Sequence, residues 1–536
     1  MVVAIAEDPD GFNPYVVARS TAADMMELLY PRLVRERWGD RRRPFAPRLA
    51  ESWRYSEDRL TLTFRLRSDA RWTDGTPVTC ADVVATLKAQ KSEALAWPGA
   101  FIKRAIERVD CPDAHTAVFR FTRPSTHQVL DANDDQIIPA RYLDVPLDRW
   151  LETRWEDRAL TCGPFRLERH VPGQEVALAR DPGFWDASRT RLARVVFRVY
   201  PDRDAAVRAL LAGEVDVVDH LPPLAAARIA GHGGVRLVDL PSLSYAAIAW
   251  NMLAPEAYVL DRRRRGCRGA EPCGETRETI AELRARSPHP VLADPRVRRA
   301  LTLGIDREEL VDGVWHGYAR VAGSPIVSLL WAHDPGALLP YDPGQARRLL
   351  DEAGFVRAPG RTVRRRGATP LSVEVIVNAD NRARVAALER IAAQLATIGI
   401  EVRPVPLPRR EFIDRARAKR FDGVLLGWRA GTRVEPQAIL HGDASIERGN
   451  NLGSWFTRES DELMDRAAGA ATRGEAAPLW RRWQRLFRDE QPYTMLCEQR
   501  TLIGLSRRVR GATPSPLNPW EGLERWELAA PGEDPR

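Results

Sequence analysis

Lysine is nearly missing from this chain: only Lys88, Lys91, Lys103 and Lys419 occur among 81 basic residues, so 77 are arginine. The arginines are spread along the sequence rather than striped on one helix, which argues against a nucleic-acid surface despite a net charge of +8 and reads as a bias of coding composition. Long apolar runs are missing too, and no stretch approaches the ~18 residues needed to span a bilayer as a helix. No export leader precedes the fold: the short apolar run Val2 to Ala6 passes directly into Glu7-Asp8-Pro9-Asp10-Gly11. Either the protein is cytoplasmic or this is a mature sequence whose export segment is gone.

The signatures of chemistry are absent as well. There is no H-E-x-x-H, no G-x-x-x-x-G-K-[ST], no G-x-S-x-G and no G-x-G-x-x-G. The nine histidines are scattered without metal-ligand spacing. Cys162, within Thr161-Cys-Gly-Pro-Phe165, reads as a turn before a strand rather than a nucleophile. The expectation is a protein with no catalytic residues, no metal and no cofactor.

What is present describes a large globular chain. At 536 residues it exceeds one core, and ~150 residues per domain allows about three domains. Hydrophobic content of 44% with 29% charged residues fits packed domains. Cys267 and Cys273 close a small loop suited to a local disulfide, which leans the compartment toward the extracytoplasmic side. Cys80, Cys111, Cys162 and Cys497 cannot be paired by inspection. The runs Arg262 to Arg265 and Arg364 to Arg366 read as solvated loops.

Periodicity supplies the α/β grammar. Leu60, Leu62, Phe64 and Leu66 alternate with polar residues, the pattern of a half-buried strand. Asp74-Gly-Thr-Pro77 is turn chemistry, and Thr79 with Asp82 has the spacing of a capping box before an amphipathic helix. Asp74, Cys80 and Asp82 therefore punctuate scaffold instead of gathering a metal. Helices are expected at 204–212, 345–353 and 381–397, each closed by a glycine, with a strand following at 400–407. Two apolar strands, at 245–251 and 494–498, look like crossings between domains, and residues 253–291 look like an excursion.

The candidate binding residues come from aromatic and charged clusters. Gly427-Trp-Arg-Ala-Gly-Thr-Arg-Val-Glu435 follows the apolar strand Val424-Leu-Leu426, so its side chains emerge where a strand ends and where open α/β sheets bind ligands. Trp428 offers an apolar face, while Arg429, Arg433 and Glu435 offer charge to ligand termini. Trp455, in Asn450-Asn-Leu-Gly-Ser-Trp-Phe456, is either a cleft wall or core.

Taken in order, these segments resemble the family 5 extracellular solute-binding proteins of ABC importers, the peptide- and nickel-binding group. The residues that carry the resemblance are Leu49-Ala-Glu-Ser-Trp53, Trp72-Thr-Asp-Gly-Thr-Pro77, Cys162-Gly-Pro-Phe165, Arg180-Asp-Pro-Gly-Phe-Trp185, Leu210 to Val217, Asp294 to Leu301, Gly304-Ile-Asp-Arg307, Ala346 to Gly354, and Phe421-Asp-Gly with Gly427-Trp428. The resemblance implies a periplasmic-binding-protein-like α/β fold (class II, cluster C): two lobes joined by two hinge strands, with an additional domain. On that reading residues 1–46, 160–246 and 498–536 form lobe 1, residues 47–159 the extra domain and residues 247–497 lobe 2, with Asn251 and Cys497 marking the crossings.

The implied function is capture of a peptide or peptide-like molecule by lobe closure and delivery to a membrane permease, without covalent chemistry. The implied protein is extracytoplasmic, periplasmic or lipid-anchored, monomeric, and bound to no nucleic acid. The ligand-binding set is Trp428, Arg429, Thr432, Arg433, Glu435, Trp455, Asn251, Tyr245, Phe12 and Cys162. Three departures bear on the ligand. Family members usually carry an Asp after the Gly-Trp pair that takes the peptide amino group, where Gly431 or Thr432 falls here and Glu435 is the nearby acid. They usually have Thr-Gly-Pro where this chain has Cys162-Gly-Pro, and a shorter connection at 253–291. Two other readings keep the fold and change the role: a binder, carrier or enzyme diverted to a specialised-metabolite pathway, or a cytoplasmic sensor, the latter disfavoured because no DNA-binding module precedes residue 47.

Overall fold

The computed structural model describes residues 1–17, 19–40, 44–97, 99–133, 135–267, 274–445 and 449–529. The chain divides into two units, Met1–Leu240 with Thr501–Arg536, and Pro241–Arg500. Two long strands, Val235–Trp250 and Tyr493–Ser506, each begin in one unit and end in the other. Among the described residues no helix is long and apolar enough to cross a membrane.

In unit 1 the strand Val2–Ile5 lies between Val217–Val218 and Arg194–Val199, parallel to both, and Glu175–Arg180 and Phe165–Val171 extend the sheet antiparallel. A separate four-stranded antiparallel sheet runs in the order Ala50–Tyr55, Thr61–Leu66, Thr116–Phe121, Ile106–Asp113. Leu62, Phe64 and Leu66 are buried while Arg65 is exposed, so the sequence alternation translates into one packed face.

The residues connecting the 61–66 strand to the 106–113 strand act as scaffold. The Thr76 amide donates to Asp74 Oδ1 at 3.0 Å and Gly75 takes φ +86°, a turn only glycine adopts cheaply. The Thr79 amide donates to Asp82 Oδ2 at 2.7 Å as the helix Cys80–Gln90 starts, and the other Asp82 oxygen accepts from the Ala140 amide at 2.7 Å. Asp82 thus caps one element and ties down another. Cys80 is disulfide-bonded to Cys111, joining this helix to the 106–113 strand across 31 residues. Of the cysteines left open by the sequence, Cys162 and Cys497 are free and buried. Cys267 is disulfide-bonded, and Cys273, its expected partner, lies outside the described residues.

Unit 2 has a parallel core: Ser372–Asn378 pairs with Glu401–Leu407 on one side and with Gly423–Arg429 on the other, and Val235–Trp250 then pairs antiparallel with 423–429. The helix Arg382–Ala396 links 372–378 to 401–407 and buries Leu388, Ile391 and Leu395 against the sheet. Helices expected near 204 and 345 are Arg203–Leu211 and Pro343–Glu352. The first is capped by Asp202, whose side chain accepts from the Ala205 amide at 2.6 Å. Among the described residues, 253–291 contain two helices, Pro255–Arg264 and Arg277–Arg286, which close a small core of Leu253, Tyr258, Ile280, Leu283 and Phe456.

The arginine runs are only in part solvated: Arg263 to Arg265, Arg365 and Arg366 are exposed, but the first arginine of each run is buried. Arg262 to Arg264 end a helix, and Arg262 is buried against Glu275 at 2.7 Å. Arg364 is also buried, donating to the Ile398 and Phe355 carbonyls at 2.9 and 2.8 Å and pairing with Asp351. Arg298, 1% exposed, donates to the carbonyls of Glu490, Gln491, Leu292 and Ala293. Delocalised charge and five fixed donors let a buried guanidinium satisfy several carbonyls at once, which is why arginine occupies these interior positions. Two of the four lysines, Lys103 and Lys419, are buried as well.

Candidate functional site

Most of the candidate residues fall in unit 2, at the carboxyl ends of its parallel strands. Ser372–Asn378, Glu401–Leu407 and Gly423–Arg429 all finish on this rim, and the helix Arg382–Ala396 begins there with Asn381 Oδ1 accepting from the Arg384 amide at 3.1 Å. The positive end of a 15-residue helix therefore points at the rim.

Trp428 is the sixth residue of the 423–429 strand and pairs in register with Tyr245 of the neighbouring strand. The structure brings these two together. Trp428 is half-buried, and its indole Nε1 has no hydrogen-bond partner among the described residues. Tyr245 is buried, and burial drives its phenol well above the usual range, so it stays neutral. Arg429 is exposed at the strand end, Thr432 is half-buried, and Arg433 Nη1 lies 3.6 Å from Glu435 Oε2. Arg433 and Glu435 offset part of each other's charge.

Arg384 is a residue the sequence reading did not single out. Its guanidinium lies over Gly427: a Cβ added at Gly427 would collide with Arg384 Nη2. Arg384 Nε has no hydrogen-bond partner, and no carboxylate pairs with this arginine among the described residues. Burial lowers its pKa, with Cys497 nearby acting in the opposite sense. The group remains a cation at neutral pH. Gly427 and Trp428 are adjacent on a strand, so they face opposite sides of the sheet. A buried polar donor normally has a partner, and Arg384 Nε, in the first turn of its helix, has none among the described residues.

The other candidates sit elsewhere. Asn251 follows Trp250, which pairs with Gly423 at the amino end of the 423–429 strand, so it lies at the opposite end from Trp428. It is fully buried: Nδ2 donates to the Lys419 and Phe421 carbonyls at 3.1 and 3.0 Å, and Oδ1 accepts from the Leu253 amide at 3.1 Å. Trp455 is buried in a segment tied to that same end, where the Met252 amide donates to the Gly453 carbonyl at 2.8 Å. In unit 1, Phe12 packs its ring edge-on to His170 at 5.2 Å, and Cys162 donates its amide to the Leu29 carbonyl at 3.0 Å; both belong to the unit 1 core. Burial pushes the thiols of Cys162 and Cys497 up, so neither supplies a thiolate at neutral pH.

One group invisible to spacing arguments also appears in unit 1. Asp24, Asp219 and His220 bring ligand atoms within 4.8 Å of one another. Three half-buried ligands fall short of the four that a structural zinc site uses.

The profile of the family described as bacterial extracellular solute-binding proteins, family 5 Middle, matches residues 44–445. The dipeptide-binding protein of Escherichia coli (strain K12) is 24% identical over 533 residues, covering 95% of this chain and 91% of that protein. The oligopeptide-binding protein AppA from Bacillus subtilis, solved in complex with a nonapeptide, superposes with a TM-score of 0.77 at 22% identity, covering 99% of both chains. NikZ from Campylobacter jejuni, solved in complex with Ni(L-His), superposes with a TM-score of 0.79 at 19% identity, covering 98% of this chain and 99% of the other. The fold is accordingly the two-lobed, mixed α/β, periplasmic-binding-protein-like fold, as the sequence motifs imply. This chain belongs to the bacterial extracellular solute-binding proteins of family 5.

Proposed function

We propose that this protein is the substrate-binding component of an ABC importer, capturing a peptide or peptide-like molecule that carries a carboxylate and delivering it to a membrane permease. The observation that carries the reading is Arg384: a guanidinium without a carboxylate partner among the described residues, beside a helix N-terminus on the rim that also holds Trp428 and Tyr245. Burial strengthens its attraction for an anion, because the competing water is partly removed. Trp428 supplies an apolar wall for the body of the ligand. Binding is reversible, and capture involves movement of the two units about the strands that link them. The protein acts as a monomer in an extracytoplasmic compartment, and the Cys80–Cys111 disulfide supports that location because such bonds persist where the surroundings are oxidising.

Native mass spectrometry of protein purified from its source gives the mass of the copurifying ligand. Calorimetry then compares that ligand, or short peptides, with their carboxyl-amidated forms on the native chain and on Arg384→Met. Amidation should weaken binding about 30-fold, the equivalent of ~2 kcal/mol for a buried charged hydrogen bond, and the difference should vanish in the variant. Equal affinity of acid and amide for the native chain removes the carboxylate from the reading.

A further inference from the structure

We propose that unit 2 carries a second ligand site, for a small amphipathic organic anion, in the cavity between the helix Pro255–Arg264 and the amino-terminal ends of its parallel strands. The cavity has a volume of about 600 Å³, within the range of small-molecule sites. Glu374, the third residue of the 372–378 strand, Arg403, the third of 401–407, and Asp422, just before 423–429, line it. A seven-residue strand spans about 20 Å at ~3.3 Å per residue, so this cavity and the Arg384 rim are distinct places.

Its walls combine two chemistries. The helix turns Pro255, Val259 and Leu260 toward the cavity, positions that share one face, and Leu260 is 50% exposed, unusual for so large an apolar side chain. The buried ring of Phe421 adds to this apolar lining. The charges are the second component. Arg415 is paired with Glu374 at 2.5 Å, and Arg403 lies 3.5 Å from Glu401. Asp422 is likewise committed, accepting from the Glu374 amide at 2.7 Å and lying 3.0 Å from His289 Nε2. Arg263 and Arg420 differ: both line the cavity, both are exposed, and neither side chain has a hydrogen-bond or ion-pair partner among the described residues. Glu256 is the remaining carboxylate on the wall.

Two arginines without polar partners among the described residues, lining the same cavity as an apolar strip, suit an anion with a hydrocarbon body. Arginine binds carboxylate or phosphate oxygens in a bidentate manner, and Val259 with Leu260 gains by covering a chain or ring that inorganic phosphate lacks. Both side chains are exposed and without a polar partner among the described residues, so both can be replaced without unfolding the unit.

The test uses octyl phosphate titrated into the full chain by calorimetry, with inorganic phosphate as the comparison. One octyl phosphate should bind per chain, at least tenfold more tightly than inorganic phosphate. The double variant Arg263→Glu/Arg420→Glu should weaken it at least tenfold, Leu260→Asp at least fivefold, and Arg384→Met should change it by less than twofold. Unchanged affinity in the double variant overturns the proposal, as does equal binding of inorganic phosphate. Loss of the probe in Arg384→Met also overturns it, because the probe would then occupy the strand-end rim. Peptide binding that persists in the double variant keeps the fate of this cavity separate from that of the importer reading.

Discussion

Arg384 owes its position to a neighbour without a side chain. Substituting Gly427→Ala forces the guanidinium off the rim, and ligand affinity measured by calorimetry should fall about tenfold although no charge is removed. Retained affinity would show that Arg384 binds from another rotamer. The sequence hid this residue because it lies in the first turn of an amphipathic helix, where an arginine reads as part of the polar face; only the approach of the neighbouring strand shows that this face is covered. Lys419 is a second hidden case. Its Nζ donates to the Asn451 and Leu452 carbonyls at 2.9 and 3.2 Å, and burial lowers its pKa to about 7. Between that value and its unfolded value near ~10.4, the unfolded chain binds a proton that the folded chain does not. Stability should therefore climb as pH rises from about 7 toward 10, an increase in apparent melting temperature that Lys419→Met should flatten. A native profile with no such rise would mean the amine stays charged in the fold.

At the level of elements, the readable parts were those governed by local rules. The alternation at 61–66, the Thr79–Asp82 box and the glycine closing the 382–396 helix depend on neighbours within a few residues, and each has its structural counterpart. Features fixed by distant packing were unreadable. Cys80 meets Cys111 because the 106–113 strand returns beside the 80–90 helix, where the Cys80 amide donates to the Ala114 carbonyl at 2.8 Å. Arg262 and Arg364 looked solvated because a charge run gives no hint that Glu275 and a set of carbonyls await it in the interior. The rim shows the same division: the apolar strand at 424–426 was legible, although it runs on through Trp428 to Arg429, whereas the burial of Asn251, Trp455, Phe12 and Cys162 depends on other elements closing over them. The disulfide offers a clean measurement. Replacing Cys80 and Cys111 with serine frees a 31-residue loop, and loop entropy sets the cost at about 3–4 kcal/mol, observable as an earlier chemical denaturation of unit 1. An unaltered midpoint would mean that the strand and helix hold the loop without the bond.

The chain divides into two compact units, so denaturation should proceed in two resolvable steps. A ligand held as proposed stabilises by mass action: at 100 times its Kd the gain is about 2.7 kcal/mol. The step assigned to unit 2 should move to higher temperature on saturation, and in Arg384→Met the shift should shrink for carboxylate ligands. A ligand that moved neither step would be binding folded and unfolded chains alike.

The near-absence of lysine has a practical corollary. With Lys103 and Lys419 enclosed, the amines that an acylating reagent can reach on side chains are Lys88 and Lys91, both at the end of one helix in unit 1. Coupling through side-chain amines to a sensor chip or a dye will thus fasten the molecule by that end of unit 1, and leave the side chains of unit 2 unmodified for guests arriving from solution.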